Sequence, residues 1–280
     1  MKSSDQIKGN IKSLAKKKGL KPQEVFQMYF FERVLKRLEK SPYRETFIIK
    51  GGLLISSLIG IDNRTTMDMD TTVKGIALTE GNITRIVKEI LAIDVHDNID
   101  FVFEGIKEIR ENDEYDNYRV SLLARCGRIN NPMKIDITTG DAITPRETIH
   151  EYPLMFDEGH IKVMAYPLET VLAEKIETII RRNITTTRMR DFYDIYILYK
   201  IYKNKIDLKI LSQAIVNTSR KRESLEDLLE YKEILEDIQN DDYLKENWHN
   251  YLKDNSYVGK VKFEDTLNVL REIFHQINIS

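Results

Sequence analysis

A single cysteine, Cys126, stands among 280 residues. This excludes an internal disulfide framework and any cysteine-rich zinc site. Its place in the apolar stretch Val120–Cys126 marks it as a packed thiol rather than a nucleophile. No apolar run reaches the roughly 20 residues that cross a bilayer, and no leader pattern is visible, so a cytoplasmic protein without a membrane partner is expected. Charge of one sign is not in excess either: 43 Lys+Arg stand against 45 Asp+Glu, a formal net charge of −2. That balance gives no long-range attraction to nucleic acid, and any RNA contact has to come from local basic patches. The five histidines are scattered without ligand spacing. No internal repeat or low-complexity tract is present.

The length suffices for two lobes with separate cores. The first forty residues read as helical: Ile7, Ile11 and Leu14 share a face, and Pro22 opens a second helix carrying Val25, Met28, Tyr29, Val34, Leu35 and Leu38. Strands and helices then alternate, with strands over 46–50, 66–73, 99–104, 118–125 and 133–138 and helices over 52–59 and 80–91. Pro145 and Pro153 punctuate the exit, a last strand covers 161–165, and from Pro167 the pattern is helical to the end. The expected fold class is α/β (α+β), a mixed sheet with flanking helices over residues 1–165, followed by a helical lobe over 166–280. The acidic stretch 223–246 reads as a solvated helical face.

The most informative local pattern is Asp68-Met69-Asp70. Side chains alternate along a strand, so both carboxylates project from one face. Clustered carboxylates resist burial unless a cation stands between them. Asp136, in the apolar strand Lys134-Ile135-Asp136-Ile137, offers a third. Such an oxygen-rich set suits Mg²⁺ carrying a substrate's phosphates. An Asp-x-Asp strand can also be a solvated edge; the third carboxylate on an independent strand favours the metal site. Upstream, Lys50-Gly51-Gly52 turns from a short strand into an apolar helix, where glycine leaves backbone N–H groups open to phosphate at a helix N-terminus.

In the second lobe, Pro167 sets the start of a helix whose apolar stripe is Leu168, Val171, Leu172, Ile176 and Ile179. Lys175 lies beside that stripe and reads either as a cation reaching for nucleotide phosphate or as half of a Glu174–Lys175 surface pair. Arg190-Asp191-x-x-Asp194 opens the next helix. Its acids share a face and suit the helix dipole, while Arg182, Arg188 and Arg190 add a basic cluster able to hold a triphosphate or an RNA backbone. Lys16-Lys17-Lys18 and Arg220-Lys221-Arg222 are minor basic runs. Tyr193, Tyr196, Tyr199 and Tyr202 are mainly packing residues.

These blocks resemble a known family. Gly51-Gly52, Asp68-x-Asp70 and Asp136 are similar to the nucleotidyltransferase superfamily of DNA polymerase β and the CCA-adding enzymes. More narrowly, Arg64-Thr65-Thr66-x-Asp68-x-Asp70, Leu172-Ala173-Glu174-Lys175 and Arg190-Asp191-Phe192-Tyr193-Asp194-Ile195-Tyr196 resemble the AbiEii toxin family, the toxin half of type IV abortive-infection toxin–antitoxin systems. The resemblance implies a Mg²⁺-dependent (or Mn²⁺-dependent) transfer of a nucleoside monophosphate from an NTP to an RNA acceptor, the tRNA 3′ end. Such transfer would block translation as a phage defence. Asp68, Asp70, Lys175 and Asp191 would be catalytic, with metal on Asp68, Asp70 and Asp136. Lys50, Gly51, Gly52 and Thr66, with Lys175, Arg190 and Asp194, would bind the nucleotide. A cognate antitoxin is the implied partner. Two other readings stay open: nucleotidylation (AMPylation) of a protein hydroxyl, and a nucleotide-binding module without turnover.

Overall fold

The computed structural model describes residues 2–109 and 117–277. They fall into two compact units, one of residues 1–140 and 147–165, the other of 141–146 and 166–280. The chain therefore passes from one unit to the other three times.

The first unit opens with α1 (Ser4–Lys18) and α2 (Pro22–Lys40). A capping box starts α1, in which the Ser3 hydroxyl accepts from the Gln6 N–H and the Gln6 side chain answers to Ser3 N–H; Gly19 ends it in the left-handed conformation. Ile7, Ile11 and Ala15 are buried on α1, so Ala15 takes the inward place expected of Leu14. Then follow β1 (Phe47–Lys50), α3 (Gly51–Ile59), β2 (Asp68–Val73), α4 (Glu80–Leu91), β3 (Asp100–Ile109), β4 (Asn117–Cys126), β5 (Ile129–Thr139), β6 (Thr148–Pro153) and β7 (His160–Ala165). The strands form one mixed seven-stranded sheet in the order β3-β4-β5-β2-β1-β7-β6, with β1–β7 and β2–β5 parallel and the other pairs antiparallel.

Strand β6 is the element that periodicity misses. It is short, follows Pro145 and ends on Pro153; an edge strand tolerates proline because one row of its N–H groups has no partner to serve. The opposite edge, β3, runs five residues past the expected 104 and carries a register shift between Phe103 and Gly105.

One face of the sheet is apolar. Phe47, Ile49, Met69, Ile135, Ile137, Val120 and Leu122 are buried there. Val34 and Leu38 of α2 and Val87, Ile90 and Leu91 of α4 close over Phe47, Met69 and Ile135. Arg37 pins α2 to the approach of β3, donating from both terminal nitrogens to Asp97 at 2.9 Å and from Nη2 to the Ile99 carbonyl at 2.7 Å. The other face of the same strands carries the charges discussed below.

The second unit is helical: α5 (Leu168–Arg182), a 3-10 turn (Asn183–Thr185), α6 (Met189–Tyr202), α7 (Leu208–Lys221), α8 (Leu225–Leu229), α9 (Tyr231–Asn240), α10 (Asp242–Asp254) and α11 (Phe263–Gln276). The helical reading of the last residues, 278–280, lies outside the described residues. The segment 141–146 is stitched in by reciprocal bonds, Thr144 N–H to Thr170 Oγ1 at 2.9 Å and Thr170 Oγ1–H to the Thr144 carbonyl at 2.8 Å. Phe192, Tyr193, Leu198, Tyr199, Leu211 and Leu270 make the core, which fixes two of the four tyrosines inside. Glu177 is a buried hub that accepts from Arg181 at 2.8 Å, Arg222 at 2.6 Å and the Ser224 hydroxyl at 2.9 Å. On α8 and α9 the acids Glu226, Glu233 and Glu236 are exposed, as is Glu230 between the two helices, while Leu228, Ile234, Leu235 and Ile238 are buried. Among the described residues no helix is long and apolar enough to cross a membrane.

Candidate active site

The residues singled out in the sequence form two groups, one in each unit. In the first, the ladder registers set the geometry. Lys50 pairs with Asp70, Asp70 with Asp136, Asp136 with Arg119, and Arg119 with Lys107. Directly opposed residues point to the same side, so these five form one rung across β1, β2, β5, β4 and β3. One step along, Asp68 pairs with Lys134. Asp68 and Asp70 thus share the polar face while Met69 between them enters the core.

Gly51 has φ +62, and a Cβ placed on it would stand 2.1 Å from Asp70 Oδ2. Only glycine allows the helix start to press against that carboxylate. A Cβ on Gly52 would meet Thr66 Oγ1 at 2.8 Å and Thr66 Cβ at 2.9 Å. Thr66 itself turns the chain into β2, its hydroxyl donating to the Asp68 carbonyl at 3.0 Å. Burial pushes the Asp70 carboxyl above the usual range; Lys50 opposes this, Asp136 and Asp68 add to it, and a bond from the Gly52 N–H opposes it. The Gly52 N–H that the sequence leaves open to phosphate is therefore turned to Asp70.

Asp136 is held differently. Arg119 donates to it from Nε at 2.7 Å and from Nη2 at 2.6 Å, occupying both carboxylate oxygens. Among the described residues no three His, Cys, Asp or Glu side chains form a metal-holding group. The donors of the Asp68–Asp70 pair fit a divalent cation nonetheless: they are hard oxygens on one face, and one of them is crowded by like charge and burial. The sequence reading missed Arg119. The alternation of β4 marks it as outward-facing, but its partner follows only from the register with β5.

In the second unit, Lys175 Nζ lies 2.6 Å from Asp191 Oδ1 and 2.8 Å from Asp194 Oδ2. Arg188 Nε reaches Asp191 Oδ2 at 2.6 Å. Burial raises the Asp191 carboxyl, but the charges of Lys175 and Arg188 outweigh it and hold it at about 2. Lys175 is thus joined to α6 across the helix pair, while Glu174 turns to Arg222 at 3.1 Å. Arg182 and Arg190 are exposed.

Solved structures share the fold of this chain. A provisionally assigned nucleotidyltransferase from H. pylori superposes with a TM-score of 0.51 at 18% identity, over 92% of this chain and 97% of its own. JHP933 from Helicobacter pylori gives the same TM-score and identity, over 92% of this chain and 94% of its own. At that identity the likeness is one of fold. The family model described as "Nucleotidyl transferase AbiEii toxin, Type IV TA system" matches residues 33–269. The chain belongs to the AbiEii family. Among curated proteins none matches.

Proposed function

We propose that this toxin-family protein transfers a nucleoside monophosphate from an NTP to an RNA acceptor, the 3′ end of tRNA, and so halts translation and growth until a cognate antitoxin opposes it. Its place of action would be the cytoplasm. The observation that carries this reading is the contact between the Gly51-Gly52 turn and Asp70, which puts a helix start and a carboxylate pair together on one sheet face.

Asp68 and Asp70 would hold the divalent cation, Mg²⁺ or Mn²⁺. When bound, that ion supplies a counter-charge for the triphosphate and favours ionisation of the attacking hydroxyl. Lys50, beside Asp70, adds positive charge on the flank from which the glycine turn begins. Thr66 supports Gly52 from below and fixes the entry of β2. Lys175, Asp191, Asp194 and Arg190 are proposed as the second unit's contribution to nucleotide handling, with Lys175 and Asp191 taking part in catalysis and the division between lobes falling near 165.

Incubation with each labelled NTP in turn, with tRNA or with a protein extract, tests the proposal. Labelled tRNA that disappears with Asp70→Asn in a folded protein is the expected result. Labelled protein instead would move the acceptor to a protein hydroxyl, and NTP binding without either product would leave a nucleotide-binding module.

A further inference from the structure

Asp136 completes a carboxylate trio in sequence, yet in the structure it is engaged differently from the other two. Both its oxygens accept charge-assisted bonds from one guanidinium, at 2.7 and 2.6 Å. A bidentate arginine pair of this kind fixes two planar groups edge to edge. Asp68, by contrast, makes no ion pair among the described residues, and Asp70 accepts a backbone N–H. A cation drawing on Asp136 would have to share its two oxygens with the Arg119 guanidinium, a fixed positive charge that cannot be relieved by loss of a proton.

The strand order gives the pair a direction. Along the rung, Lys50 and the glycine turn flank Asp70 on the β1 side, and Arg119 and Lys107 flank Asp136 on the β4 and β3 side. Neighbouring strands are about 4.8 Å apart, so Arg119 branches from the backbone about 10 Å from Asp70. The carboxylates lie between two basic flanks. Lys107 is exposed on the second flank, Lys134 is exposed on β5 opposite Asp68, and Arg119 keeps Nη1 outside its bond with Asp136.

We infer that Asp136 is a positioning residue and not a metal ligand: it anchors Arg119, which meets a phosphate of the RNA acceptor on the β4 side while the cation rests on Asp68 and Asp70 alone. This deepens the nucleotidyltransferase reading and rests on it for the acceptor, though not for the metal.

Two measurements on the full chain test it. The first is Mn²⁺ titration followed by electron paramagnetic resonance, without substrate. Asp70→Asn should weaken Mn²⁺ binding by on the order of a hundredfold, and Asp136→Asn by less than about tenfold. Equal losses would overturn the assignment and restore Asp136 as a ligand. The second is affinity for a short single-stranded oligoribonucleotide across a salt series. Arg119→Ala should weaken binding and lower the salt slope by about one phosphate contact. Adding Asp136→Asn to Arg119→Ala should weaken it no further, since an anchor has no role once its partner is gone. An unchanged slope in Arg119→Ala, or additive losses in the double variant, would overturn the acceptor contact. If the unaltered protein transfers nothing to RNA, the acceptor half falls, while the Mn²⁺ comparison still decides the role of Asp136.

Discussion

At the scale of single residues, Gly51 bears the tightest constraint in the first unit. Two costs meet there: a φ of +62 and a Cβ position already taken by the Asp70 carboxylate. A non-glycine residue in left-handed backbone costs about 1–2 kcal/mol, before any displacement of Asp70 is counted. Gly51→Ala is therefore expected to abolish nucleotide transfer while lowering stability only modestly, because the residue that must move is the one proposed to hold the cation. Mn²⁺ affinity and thermal melting of the same sample check this; a variant with normal Mn²⁺ affinity would show that Asp70 relaxes freely. Gly52 is constrained by Thr66 instead. The sequence displayed both glycines and both aspartates, yet said nothing of which carboxylate presses on which glycine.

Pairs of elements bring in the cluster joining α5 to α6. Lys175 is half-buried between the buried Asp191 and Asp194, with side chains 12%, 4% and 0% exposed. Removing Lys175 leaves Asp191 with Arg188 and takes an ion-pair partner from the fully buried Asp194; loss of a partner from a buried ion pair costs about 3–5 kcal/mol at most. Lys175→Ala should accordingly destabilise the protein in urea as well as impair transfer, so activity has to be compared at matched folded fractions. The pH dependence carries a further sign. Asp191 is held at about 2, below the ordinary carboxylate value of 3.8. Its contribution, about 2 kcal/mol, is full above the unfolded value near 4 and drains away as pH falls toward 2. Urea midpoints between pH 5 and pH 2 should fall for the unaltered protein and fall less steeply for Lys175→Ala. Parallel slopes would show that the ion cluster does not set acid stability.

The whole molecule has two cores, and the calorimetric expectation follows from that. Arg37→Ala strips Asp97 of a bidentate partner in the first unit, where both side chains are almost fully buried. Lys175→Ala acts in the second. Two overlapping thermal transitions are expected, with each substitution lowering one of them. A single transition shifted equally by both variants would make the chain one cooperative unit.

What the sequence alone determined was everything governed by local period and local chemistry. Helix 80–91 matches the observed Glu80–Leu91 to the residue, because its apolar face repeats at helical spacing and Thr79 caps it. The Asp-x-Asp strand and the proline-led starts of α2 and α5 were legible for the same reason. The short edge strand β6 was not, since prolines and four exposed or half-buried residues hide its alternation. The partners of the charged groups were decided by tertiary structure. Register placed Arg119 beside Asp136, and packing of α5 on α6 placed Lys175 between two acids 16 and 19 positions away. An ion pair forms over a few ångströms of space, and distance along the chain does not encode it; only the folded arrangement of strands and helices does.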